Sequence, residues 1–134
     1  MLFSKVVSTV AVATLTFSTP LHALPTATSD RAELFAICSG RLEALATRQR
    51  AQMDEQAVSV ADLQHEFELL LDAILPRALS EGVEAHQPGR WRVRGWVEVA
   101  YLLADMDYSF DERTAAGAER QLARRISECR EVLL

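Results

Sequence analysis

Two cysteines, Cys38 and Cys129, lie near opposite ends of the 134-residue chain and constrain its fold more than any other feature. Thiols of an exported protein meet an oxidising compartment and pair there, so one intramolecular disulfide is expected. In the chain-entropy model, a bridge that closes a loop of this length stabilises the folded state by about 4 to 5 kcal/mol. No C-x-x-C motif is present, so the sequence favours a structural bridge over a redox role.

The first 23 residues have the organisation of a secretory signal peptide. Lys5 supplies a positive charge, an apolar run follows over residues 6–17, and the small residue Ala23 stands at the predicted cleavage position. The apolar run is shorter than the roughly 20 residues that a membrane-spanning helix needs. We therefore predict cleavage after Ala23 and release of a soluble mature protein into the periplasm or the medium, without a membrane span.

The rest of the chain has the size of one domain and an acidic balance. Residues 24–134 number 111, which is enough to bury a single hydrophobic core. We predict a flexible lead over residues 24–29 and one helical domain over residues 30–134. This part holds 13 arginines, no lysine and 19 acidic residues, which gives a formal net charge of −6. An acidic balance argues against general binding to nucleic acid or to an anionic membrane, because both need a basic surface.

Apolar residues recur at helical spacing in four stretches, and no stretch alternates as a β-strand would. Asp30, Ser59 and Ser109 are each followed three residues later by an acidic residue, the capping-box pattern that opens a helix. Helix two continues in phase across Pro76, which predicts a kinked helix, and Gly82 is typical of its end. The expected helices begin at Asp30, Ser59, Pro88 and Ser109 and end near Met53, Gly82, Asp107 and Leu133.

On a helical wheel both cysteines fall within the apolar arcs of the first and the last predicted helix. A disulfide would join those helices across the core, so we predict an all-α fold, a small antiparallel four-helix bundle. The second half of helix three, WVEVAYLLA, is apolar nearly all round, which predicts a central position. Gly40 within helix one indicates the close approach of a neighbour. We expect Trp96 in the core and Trp91 partly exposed.

Residues 89–96 read GRWRVRGW and hold three arginines in a chain that is acidic overall. Pro88 and the apolar pattern downstream favour a helix, on which these side chains spread over a wide arc. We expect them to form an exposed or salt-bridged rim, because carboxylates are numerous nearby. The alternative is an anion or partner site, in which guanidinium groups and free backbone N–H groups hold a carboxylate or phosphate. The candidate residues for that site are Arg41, Arg90, Arg92, Arg94 and Trp91.

Arg41 projects from the apolar arc of helix one, where a buried guanidinium needs a partner. We expect it to pair with a carboxylate on a neighbouring helix, and Glu98 and Asp105 are the candidates. The alternative is that Arg41 lines a polar pocket.

Side chains that could ligate a metal are few and weakly arranged. His65, Glu68 and Asp72 line one face of helix two but point away from its apolar stripe, which makes them weak candidates. The turn over residues 105–112 is acidic, but Phe110 replaces the glycine that a calcium loop needs. No motif of a zinc or haem protein is present, so we predict no metal and no cofactor.

The sequence contains no motif for nucleophilic catalysis, and no catalytic residue is predicted. We expect a non-catalytic binding or protein-interaction module whose partner is another protein or a small anionic ligand, not nucleic acid. The alternative is a four-helix metal or cofactor carrier with ligands from His65, Met53 or the acidic turn. A third hypothesis is a chaperone that exposes apolar surface in mild acid. Acid-stress chaperones, toxin-immunity proteins and inhibitors of wall enzymes are similar in architecture, without a shared motif.

Overall fold

A computed structural model describes residues 24–134, which form four α-helices and, within that range, no β-strand. The predicted all-α fold is confirmed, whereas the predicted signal peptide, residues 1–23, lies outside the described residues. None of these four helices is both long and apolar enough to cross a membrane. The helices are α1 (Thr28–Ala51), α2 (Gln56–Ser80), α3 (Gln87–Tyr108) and α4 (Glu112–Glu131).

The first two helices begin earlier than the capping-box patterns predict. α1 begins at Thr28, two residues before Asp30, and no side chain caps it. α2 begins at Gln56 rather than at Ser59, because Asp54 Oδ1 accepts a hydrogen bond from the Gln56 amide at 2.9 Å. A carboxylate at this position satisfies one of the backbone N–H groups that a helix start leaves free. The two predicted capping positions therefore lie inside their helices.

The cap of α4 is Asp111 and not the predicted Ser109. The Asp111 carboxylate accepts hydrogen bonds from the Arg113 amide at 3.1 Å and from the Thr114 hydroxyl at 2.8 Å. The hydrogen bond from the Thr114 hydroxyl makes the largest contribution to lowering the pKa of Asp111, and the bond from the Arg113 amide makes the next largest. Ser109 instead accepts from the Asp111 amide and holds the turn between α3 and α4. A carboxylate at the helix start also interacts favourably with the helix dipole.

The structure confirms that helix two continues through Pro76 and that Gly82 and Pro88 lie at the expected helix end and helix start. α2 continues through Pro76, and Gly82 adopts a φ of 108°, a conformation that favours glycine because it has no Cβ. The Val83 amide then donates to the Ala78 carbonyl at 3.0 Å, the bond that closes a Schellman motif. Pro88 lies in the first turn of α3, where no intrahelical N–H bond is lost.

The central helix of the bundle is α1, and the expectation that helix three is central is wrong. α2 and α3 both pack extensively on α1, and α4 packs on α3 and more sparsely on α1. Within residues 24–134, α2 makes no close backbone contact with α3. The ion pairs Arg94–Glu33 and Arg48–Asp107 join the starts and the ends of α1 and α3, so these helices are parallel. The buried residues of α1 are Thr28, Ala32, Phe35, Ala36, Cys38, Ser39, Gly40, Arg41, Leu42, Ala44, Leu45, Ala46 and Gln49.

Two glycines allow α1 and α3 to pack with their backbones in contact. A Cβ atom added at Gly40 would lie 2.9 Å from the Trp96 amide nitrogen and would overlap the Arg92 carbonyl. A Cβ atom added at Gly95 would lie 3.1 Å from Ile37 Cα and would overlap the carbonyl of that residue. Neither position has room for a side chain. The close approach predicted at Gly40 is confirmed, and Gly95 is its counterpart on α3.

The two tryptophans have the opposite burial to the one expected. Trp91 is 8% exposed and packs with Ala32 and Ala36 of α1 and with Ala78 of α2. It fills the space between α2 and α3, because the three alanines leave room for an indole. Trp96 is 41% exposed on the outward side of α3.

The predicted disulfide joins α1 to α4. The Cα atoms of Cys38 and Cys129 are 5.6 Å apart, and both residues are fully buried. They belong to the main core cluster, which also contains Phe35 and Phe67 with ring centroids 6.1 Å apart. The bridge therefore fixes α4 against the centre of the bundle and not at its edge.

Candidate functional site

The arginines of residues 89–96 lie in the first turns of α3, and two of the three are paired with carboxylates. Arg92 contacts Glu43 of α1 at 3.2 Å and Glu68 of α2 at 2.8 Å. Arg94 pairs with Glu33 of α1. Arg90 is exposed and has no ion pair within residues 24–134. The salt-bridged interpretation is therefore confirmed for Arg92 and Arg94, and these two guanidinium groups already hold protein carboxylates.

Arg41 belongs to a closed ring of four charges. Its Nε lies 2.9 Å from Glu98 Oε2, and its Nη1 lies 3.0 Å from Glu128 Oε2. Arg125 closes the ring with contacts of 2.6 Å to Glu98 Oε1 and 3.1 Å to Glu128 Oε1. Glu98 is thus a predicted partner that is confirmed. Asp105, the other candidate, is exposed and does not take part.

The charge ring, which comprises Arg41, Glu98, Arg125 and Glu128, is electrically neutral and joins α1, α3 and α4. Arg41 is only 9% exposed, and its Nη1 also lies 4.0 Å from the Cys129 Sγ atom. A buried guanidinium with two carboxylates has its charge compensated within the protein. The ring therefore covers the disulfide and links three helices, and it leaves no unpaired cation for a ligand. Arg125 lies one turn before Cys129 and Glu128 lies immediately before it, and this spacing is the sequence signal that could have predicted the ring.

The weak metal candidates on α2 do not converge on a metal site. His65 Nδ1 lies 3.8 Å from Glu68 Oε2, and Asp72 is exposed. Glu68 accepts hydrogen bonds from Gln64 and pairs with Arg92. No group of three or more His, Cys, Asp or Glu side chains that could hold a metal ion occurs within the described part of the chain.

The outward side of α3 carries exposed apolar residues along most of its length. Val93 is 61% exposed, Tyr101 is 71% exposed and Tyr108 is 79% exposed. Their spacing places them on one side of the helix, and the row from Val93 to Tyr108 is about 22 Å long at 1.5 Å per residue. We call this surface the outer stripe. It consists of Val93, Trp96, Val97, Ala100, Tyr101, Ala104 and Tyr108.

The middle of the outer stripe is a shallow depression with a volume of about 300 Å³. The small residues Ala100 and Ala104 line it together with the larger Trp96, Val97 and Tyr101. Small residues between large ones allow a side chain or a helix to approach the α3 backbone closely. This surface was not predicted from the sequence, because the nearly all-round apolar pattern of WVEVAYLLA indicates complete burial.

Charged residues border the outer stripe at both ends. Arg90 and Arg94 lie at its start, and Asp105 lies near its end. Asp107, one residue before the last member of the stripe, is held by Arg48 with an Nε–Oδ2 distance of 2.9 Å. The hydrogen bond with Arg48 lowers the pKa of Asp107 and raises the pKa of Arg48. The stripe is therefore apolar along its middle, basic at its start and acidic at its end.

Comparison with known proteins adds no relative to this description. The chain matches no protein-family model, no curated protein and no solved structure. The choice of a candidate site therefore depends on the exposure, the charge and the contacts of the side chains. Of the surfaces described, the outer stripe is the one whose apolar groups remain uncovered.

Proposed function

We propose that the protein is a non-catalytic protein-interaction module that binds its partner through the outer stripe of α3. The observation that carries this proposal is the exposure of Val93, Trp96, Tyr101 and Tyr108 on one side of one helix. Contiguous apolar surface of this kind is costly to leave in water and marks protein-binding sites. Tyrosine, tryptophan and arginine are also the residue types enriched at the centres of protein interfaces.

A protein is favoured over a small anion as the partner. Arg41 and Arg92 each contact two carboxylates of the protein and would have to release them before they could bind an external anion. Such an exchange brings little gain, because one carboxylate contact replaces another. The outer stripe is also long and shallow, which fits a helix or a flat protein surface better than a small molecule.

The proposed site of action is the periplasm or the medium. Residues 1–23 have the pattern of a signal peptide, and the disulfide supports folding in an oxidising compartment. We therefore propose that the protein is exported, that it is cleaved after Ala23, and that the mature domain acts outside the cytoplasm.

Site-specific photocross-linking in exporting cells tests the proposal. A photoreactive phenylalanine analogue replaces Tyr101 in the outer stripe and, in a matched control, Leu69, which is 56% exposed on α2. We expect a discrete adduct of higher mass from position 101 and none from position 69. Equal labelling at both positions, or no adduct at either, would contradict the proposal.

A further inference from the structure

The charges beside the outer stripe make this surface complementary to itself. Arg90 and Arg94 lie at the start of the stripe, and Asp105 lies eleven residues after Arg94. Arg90 and Asp105 are both exposed, and neither has an ion-pair partner within residues 24–134. Arg94 pairs with Glu33, but its side chain is 57% exposed and can accept a second carboxylate. The basic start of the stripe is thus complementary in charge to its acidic end.

Resting on the proposed function, we propose that the partner is a second copy of this chain, packed antiparallel on the outer stripe about a two-fold axis. In this arrangement the basic start of each stripe faces the acidic end of the other. A parallel arrangement would place arginine against arginine, which is unfavourable. Antiparallel packing also pairs the helix dipoles favourably, and a two-fold dimer is the commonest form of self-association.

The register follows from pairing Arg94 with Asp105 of the second copy. That pair places the two-fold axis between residues 99 and 100. At 100° per residue Arg94 and Asp105 project on the same side of the stripe, and a two-fold axis across the helices preserves that side. Arg90 then lies within one residue of the level of Tyr108 of the second copy, where a guanidinium can stack on the phenol ring. Ala100 lies at the axis, where a small side chain permits close helix packing.

The size of the stripe predicts a weak and reversible dimer. A helix pair about 22 Å long buries less surface than a standard protein interface, which buries about 800 Å² on each partner. We expect a dissociation constant on the order of micromolar to tens of micromolar. Each charge at the interface occurs twice because of the two-fold axis, so a single substitution changes two ion pairs.

Charge reversal with rescue tests the proposal. Sedimentation equilibrium over a concentration series compares the unmodified mature protein with Arg94→Asp, Asp105→Arg and the double variant. We expect each single reversal to weaken dimerisation at least tenfold, because like charges then face each other twice, and the double variant to restore it. Arg120→Asp on α4 is the matched control and is expected to leave dimerisation unchanged. Circular dichroism verifies that every variant is folded.

Rescue separates the interface role from a structural one. Arg94→Asp also breaks the pair with Glu33 inside one chain, and Asp105→Arg cannot repair that loss, so recovery in the double variant requires contact between copies. A protein that stays monomeric through millimolar concentration, or single reversals that leave dimerisation unchanged, would overturn the proposal. A double variant that remains as weak as the single ones would overturn it too.

Engineered disulfides test the direction and register of the helices. In the antiparallel register Ala100 faces Ala100 of the second copy, whereas the two Ala104 residues are separated by about 13 to 14 Å along the helix axes. We expect Ala100→Cys to form a disulfide-linked dimer under mild oxidation and Ala104→Cys to form none. Equal cross-linking at both positions would indicate parallel packing and would contradict the proposal.

The cross-linking experiment at Tyr101 distinguishes failure of this inference from failure of the proposed function. An adduct with twice the mass of the chain supports both the interaction function and self-association. An adduct with a different protein keeps the interaction function and overturns self-association. Absence of any adduct overturns both.

Discussion

The inner and outer sides of α3 are both apolar, yet only one of them is covered. On the inner side Gly95 lies against the α1 backbone and Val99 is completely buried. On the outer side Val93, Tyr101 and Tyr108 are mostly exposed. An apolar pattern in the sequence therefore indicates how much surface a helix can bury, but not which part of it is buried. Which neighbour covers that surface depends on where the small residues permit close packing.

The largest expected effect on stability comes from loss of the disulfide that joins α4 to α1. Replacing both Cys38 and Cys129 by alanine is expected to lower the free energy of unfolding by about 4 to 5 kcal/mol. Equilibrium urea unfolding measures this, and reduction of the unmodified protein is the parallel test. A loss below about 1 kcal/mol in both experiments would show that the bridge contributes little to the fold.

The next largest effect on stability comes from comparing two single variants, each of which adds one methyl group to one side of α3. Gly95→Ala is expected to lower the free energy of unfolding by about 3 kcal/mol, because its Cβ overlaps the α1 backbone. Gly89→Ala on the same helix meets open space and is expected to stabilise by up to about 1 kcal/mol through helix propensity. Equilibrium urea unfolding of both variants measures these changes in the free energy of unfolding. Similar effects for the two would contradict the described contact.

Removal of Arg41 is expected to have an intermediate effect. Arg41→Ala leaves Glu98 and Glu128 with one guanidinium in place of two, and both carboxylates are partly exposed. We expect a loss of about 2 to 3 kcal/mol in unfolding free energy, below the range for fully buried pairs. Arg90→Ala at the outer stripe is the control and should change stability by less than about 0.5 kcal/mol. Equal losses would indicate that the charge ring is not structural.

Acidification is expected to have the smallest effect, and its sign is fixed by two carboxylates. Hydrogen bonds from Arg48 to Asp107 and from Thr114 to Asp111 lower the pKa of each carboxyl in the folded protein. Their contribution is therefore complete above the unfolded pKa of about 3.9 and is lost as the pH falls through the lowered folded values. Unfolding free energy, measured from pH 6 to pH 2, should fall below about pH 4.

The matched control for this pH dependence removes both carboxylates. The double variant Asp107→Asn, Asp111→Asn should show a shallower decrease of stability in the same range. An identical slope in the variant would assign the pH dependence to other groups.

Local features of the fold could be predicted from the sequence. The proline inside α2, the glycine after it and the disulfide follow from steric or covalent rules that involve few residues. The same holds for Gly40, because a glycine inside a helix indicates a packed backbone. Glu98 could be chosen as a partner of Arg41 because a buried cation needs a nearby carboxylate.

The arrangement of the helices could not be predicted in this way. The sequence pattern does not show that α1 contacts both α2 and α3, because that depends on matching small residues from distant segments such as Gly40 and Gly95. The exchanged roles of Trp91 and Trp96 have the same origin. Once α1 and α3 pack at the glycines, rotation of α3 is fixed, and one indole is buried while the other faces outward.

The most direct test of the account measures folding and binding in one variant of the outer stripe, Tyr101→Ser. Tyr101 is 71% exposed, so the unfolding free energy of the dilute protein should change by less than about 0.5 kcal/mol. Self-association in sedimentation equilibrium should weaken at least tenfold in the same variant. A stability loss of several kcal/mol with unchanged association would contradict the account, because it would make the outer stripe a part of the core.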